Sequence, residues 1–167
     1  MAVVPLYRER LTLEGATLAG CGAVGSAGLL TFVDAAPDNA ASTIGQLAFV
    51  ALLCSVLGPY LARRWTNRAE PVGERTISGD PTPLWQLPVI TAVLALAVGL
   101  PAGSWDASLR VTGGCLLVGL TQAVPMAYLI RRDERRRARR YVRLPGSSLL
   151  RGTRLGFSEA GETGSPT

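Results

Sequence analysis

Chemistry in this chain must be done without histidine or lysine, since all 17 of its basic residues are arginine. The first side chains to weigh are therefore three thiols, Cys21, Cys54 and Cys115, which lie 33 and 61 residues apart. Zinc sites and dithiol redox centres need ligands a few residues apart, so this spacing makes neither. Lack of imidazole removes the usual general base and any Ser-His or Cys-His pair. Lack of lysine removes the Schiff base and the P-loop cation. The 12 carboxylates fall outside the long apolar runs and make no paired arrangement with a base or a metal set. The expectation is a protein that is not an enzyme, with no catalytic residue, cofactor or metal site.

Two other groups of side chains invite a function. Ser55, Thr121 and Gln122, with Ser26, are polar residues near the middle of uncharged stretches. Gln122 is the most demanding, because its amide offers two donors and one acceptor that all need partners. Such groups either bond between helices, for about 1 kcal/mol each, or line a path for a polar solute. The second group is the run from Arg131 to Arg143, which contains Arg131, Arg132, Arg135, Arg136, Arg137, Arg139 and Arg140 against Asp133 and Glu134. Each arginine near an anionic membrane surface gains about 1 kcal/mol, so lipid headgroups are the first expected contact. An acidic protein partner is the second. Nucleic acid is not expected, because Tyr141 is the only aromatic in the run.

The elements that carry these residues are read from where charge is missing. Residues 15–33, 39–62, 81–105 and 111–130 hold no Asp, Glu or Arg, and all 29 charged residues lie elsewhere. A helix facing water on one side needs a polar stripe, and none of these windows has one. A hydrocarbon core about 30 Å thick takes roughly 20 residues of helix. Four transmembrane helices are expected, at about 15–33, 44–62, 84–104 and 110–130. Trp65, Trp85 and Trp105 lie at window edges, where indole rings settle among headgroups.

Arginine also sets orientation. Alternate connecting segments hold 16 arginines against one, Arg110. The rich set belongs in the cytoplasm. The expected fold class is all-α, an integral membrane four-helix bundle of two in-out-in hairpins in the cell membrane with both termini cytoplasmic. Residues 1–14 form a cytoplasmic lead, residues 15–130 the helical domain, and residues 131–167 an Arg-rich tail that ends in disorder. The loop 63–83 reads as an irregular tether. A competing reading makes residues 1–35 a signal peptide, with Val33-Asp34-Ala35 as the cleavage signal. Exclusive use of arginine, with much Ala, Gly and Val, suggests a GC-rich prokaryotic genome.

Helix 1 is poor in large residues. Gly20, Gly22, Gly25, Ser26 and Gly28 allow a second helix backbone to approach closely, which replaces the missing hydrophobic drive in lipid. They are the expected helix-packing residues, and helix 1 is the expected centre of the bundle. Pro125 removes a backbone donor inside helix 4 and predicts a kink. The functional expectation is an assembly or accessory subunit that packs against itself or a larger membrane protein. The alternative is a small permease or channel for a neutral solute.

Overall fold

The computed structural model describes residues 6–32, 40–72, 84–102, 105–144 and 155–159. The chain is mostly helical. Helix α1 spans Tyr7–Phe32, α2 Ala40–Asn67 and α3 Gln86–Ala102. A continuous helix of 33 residues follows, made of α4 (Trp105–Thr121), a π-helical segment (Gln122–Met126) and α5 (Ala127–Arg137). At 1.5 Å per residue its length is about 50 Å. The described residues include three helices long and apolar enough to cross a membrane: Tyr7–Phe32, Ala40–Asn67 and Trp105–Arg137. Helix α3 is the most apolar in composition but has only 17 residues. That gives about 26 Å, short of a full hydrocarbon core.

Several boundaries differ from the sequence reading. Helix α1 starts eight residues before the uncharged window, because its first turns have apolar anchors of their own. Tyr7, Leu11, Gly15, Ala19 and Gly22 are buried in a three-four rhythm that keeps one face on a neighbour throughout. That neighbour is mainly α4, which also touches α2 and α3. The central helix is thus α4 rather than α1. Three small positions explain it: Thr112 and Gly119 face α1, and Gly113 faces Leu47 of α2.

The expected kink at Pro125 takes the form of the π segment. Proline has no N–H to donate, and the ladder adjusts by one longer step, the Ala127 N–H donating to the Gln122 carbonyl. The helix then runs on until Ala138, a residue with φ 49° and ψ 39°, stops it. Left-handed backbone at this position reverses the chain, and the Ala138 N–H bonds the Glu134 carbonyl.

The mostly helical expectation holds, with one addition that the sequence reading did not foresee. A three-stranded sheet follows, in the order β1 (Glu70–Pro71), β3 (Leu155–Glu159), β2 (Arg139–Arg143). Strand β3 pairs antiparallel with β2, Tyr141 opposite Phe157, and parallel with β1, Glu70 opposite Gly156. So the loop after α2 and the tail both contain ordered strands. The rest of the expected disordered tail, residues 145–154 and 160–167, lies outside the described residues, as does the proposed cleavage site at 33–35.

The best-buried cluster lies at the arginine-rich end. Tyr7 and Leu11 of α1, Ala62 of α2, Met126, Ile130, Tyr141 and Leu155 form one apolar core, flanked by Trp65, Leu129 and Phe157. Tyr141 is 0% and Ile130 1% exposed. Away from this end the pattern inverts, and large apolar side chains such as Val24, Ile44, Phe49, Leu52, Val56 and Leu100 face outward. Such continuous apolar surface is rare on proteins dissolved in water.

Candidate functional site

Close approach of α1 and α4 sets up the main concavity. A Cβ placed on Gly22 would come within 2.5 Å of the Thr112 carbonyl oxygen and the Leu116 amide nitrogen. One on Gly15 would come within 2.6 Å of the Ala123 nitrogen. Backbone thus touches backbone along this seam, and any side chain there would force the helices apart. The seam is pinned by one polar contact between helices, the Ser26 and Thr112 hydroxyls 2.8 Å apart. Helix α3 leans on α4 further round, where the Ser108 hydroxyl donates to the Ala95 carbonyl at 2.7 Å.

Between α1 and α3, with α4 as its floor, an apolar groove of about 740 Å³ remains open. Its α1 wall carries Gly20, Cys21, Val24, Gly25 and Gly28, its α3 wall Thr91, Ala92 and Ala95, and its floor Ser108 and Thr112. Nothing lies within 4 Å of a Cβ placed on Gly20 or Gly28. The five small residues singled out in helix 1 therefore divide. Gly22, Gly25 and Ser26 meet α4, whereas Gly20 and Gly28 face empty space. The hydroxyls of Ser108 and Thr112 are committed to carbonyls, so the groove offers shape and apolar surface rather than acid-base chemistry.

The candidate solute path is not assembled. Ser55 lies on the exposed face of α2 and donates to the Ala51 carbonyl, while Thr121 donates to the Leu117 carbonyl beside Gly58. Gln122 stands in the π segment with its Cβ beside Gly15. None of these, nor Ser26, lines the groove. The three thiols are unpaired by disulfide and far apart in role: Cys21 alone lines the groove. Among the described residues no three His, Cys, Asp or Glu side chains gather as metal ligands.

The arginine run splits as well. Arg137 bonds Asp133 at 3.0 Å and the Asn67 side chain at 2.8 Å. Arg139 stacks 4.0 Å over the Phe157 ring. Arg140 lies exposed on β2. Arg131, Arg132, Arg135 and Arg136 instead share one side of α5 with Tyr128, around a cleft of about 330 Å³.

Acidic partners that the sequence reading left unassigned hold this end together. Arg8 of α1 bonds the buried Glu134 at 2.9 Å, and Arg143 reaches Glu14 at 3.3 Å. Glu134 also accepts the Tyr141 N–H, and the Tyr141 hydroxyl donates to Asp133 at 2.6 Å. Burial lifts the Glu134 carboxyl above its ordinary 4.5, with the Tyr141 N–H and the Arg8 charge opposing the rise. Burial and the Asp133 carboxylate push the Tyr141 phenol up, so it stays neutral. At the opposite end Asp106 takes the Thr43 hydroxyl at 3.1 Å and pairs with Arg110, which also bonds Gln46 at 2.9 Å. The four-residue spacing of Asp106 and Arg110 was a legible signal for that pair. The links from α1 to residues 134 and 143 had no local signal.

Comparison with protein-family models, curated proteins and solved structures returns no match.

Proposed function

We infer that this is a non-enzymatic membrane subunit, immersed through its apolar helices with both termini in the cytoplasm, that works by packing one open face against a transmembrane helix of a larger membrane protein. The observation that carries this reading is the unused glycine row. Glycine costs a helix about 1 kcal/mol relative to alanine. In Gly22 and Gly15 that cost is offset by close packing on α4; in Gly20 and Gly28 nothing among the described residues offsets it. An approaching helix backbone supplies the missing gain, whereas a fluid acyl chain would fit as well against alanine. The row lies on the wall of a concave groove, so two copies cannot bring these rows together face to face. A helix from a different protein is the occupant that fits.

Outward apolar side chains on α2 and α3 support immersion, and the 16-to-1 arginine asymmetry supports the orientation. Cys21 offers the test. With Cys54→Ala and Cys115→Ala in place, a thiol-linked photocrosslinker on Cys21 is activated in native membranes. The expected product is an adduct with one integral membrane protein, lost in the Gly28→Leu variant that fills the groove. Adducts of two copies of this chain, or of lipid alone, would overturn the partner-helix reading.

A further inference from the structure

We propose that the outward side of α5 is a binding site for a phospholipid headgroup bearing two phosphates, of the cardiolipin type. The inference rests on the immersion and orientation inferred above, and is independent of the partner helix. Its first support is the selective neutralisation of the arginine run. Arg137 and Arg8 face the acids Asp133 and Glu134, and Arg143 faces Glu14. The side of α5 with Arg131, Arg132, Arg135 and Arg136 has no salt bridge among the described residues. Four permanent charges thus surround one cleft of about 330 Å³.

Spacing narrows the ligand. The pairs 131/132 and 135/136 are one helical turn apart, about 6 Å along the axis. Each guanidinium presents a planar fork suited to phosphate oxygens. One turn separates two phosphate positions on a short linker better than it serves a single phosphate. The helix also says that the ligand is a lipid. Below the arginines come Tyr128, 63% exposed, then Val124, 63%, and Leu120, 48%. A phenol at headgroup depth above an exposed apolar strip provides a bed for acyl chains that a soluble polyphosphate would not use. Basic pockets on the cytoplasmic side of membrane helices are suited to such headgroups.

The test uses the full chain purified in mild detergent, with native mass spectrometry of bound lipid. Cardiolipin is titrated against phosphatidylglycerol at twice the molar amount, so that total charge is equal. Cardiolipin should be retained preferentially. Arg132→Gln with Arg135→Gln should weaken it about thirtyfold, fivefold for each lost charge. Arg132→Lys with Arg135→Lys keeps charge and fold but loses the fork, and should fall between. Arg140→Gln, an equal type of charge change on β2, should leave retention unaltered. Equal retention of both lipids, or indifference to the 132/135 changes in a variant that elutes as folded, would overturn the proposal. Displacement of cardiolipin by an equal concentration of inorganic pyrophosphate would overturn the lipid assignment. A protein that never partitions into membranes would instead defeat the reading on which this one rests.

Discussion

Glycine has two opposite roles within one helix, and single substitutions separate them. Gly22→Ala puts a methyl against the backbone of α4, where overpacking costs about 1–3 kcal/mol. Thermal unfolding in detergent should drop accordingly. Gly20→Ala meets open space, so the isolated chain should gain up to about 1 kcal/mol from helix propensity. Its unfolding temperature should rise even as any partner contact weakens. A uniform response at both positions would mean that the seam is not where the structure places it. Ala138 is a second position where one atom decides the sign. A left-handed residue with a Cβ carries about 1–2 kcal/mol of strain, so Ala138→Gly should stabilise the end of α5 in the same assay. Glu134 gives a pH signature. Its folded carboxyl holds a proton more tightly than the unfolded one, because burial outweighs Arg8. The stability it contributes is complete below pH 4.5 and fades as pH rises through the raised folded value. Unfolding temperatures of wild type and Glu134→Gln should therefore diverge with rising pH, wild type losing more. A constant difference from pH 4 to 7 would assign Glu134 an ordinary carboxyl.

At the level of elements, the apolar helices were legible because the absence of charge over 19 to 25 residues is a signal that needs no partner. Long-range pairing had no such signal. The dense arginines of 139–143 read as part of a run lying against headgroups, yet Tyr141 and Val142 are buried there because β3 and α1 arrive from distant parts of the sequence. Only the alternation of Leu155 and Phe157 hinted at a strand, and five residues are too few to prevail over flanking Gly and Ser. Glycine content announced close packing, but overlapping small-residue registers concealed which row would face α4 and which the groove. Pro125 was readable as an irregularity, while its resolution as a π segment depends on neighbours. Strand β3 is testable as an element. Leu155→Ala removes a side chain only 3% exposed from the core at the arginine-rich end and should cost about 2–4 kcal/mol. Because Leu155 touches that core and not the groove, Cys21 crosslinking should survive the change.

For the whole molecule, the same arginines are asked to do two things, and the two can be separated. Orientation follows the total bias across connecting segments, 16 against one. Replacing Arg131, Arg132, Arg135 and Arg136 by Gln still leaves 12 against one, ample to keep the same face inward. Structure adds a constraint that charge counting does not contain. Arg8 to Glu134 and Arg143 to Glu14 tie the start of α1 to α5 and β2, so these segments lie on one side of any membrane crossed between them. The proposed recognition of the headgroup phosphates, by contrast, calls on those four arginines and on no others of the run. Reporter domains fused to the two termini of the fourfold Gln variant should both remain cytoplasmic, while cardiolipin retention is lost. Inversion of either reporter would show that the α5 arginines govern topology, and that their spacing around the cleft follows from charge density rather than from a headgroup.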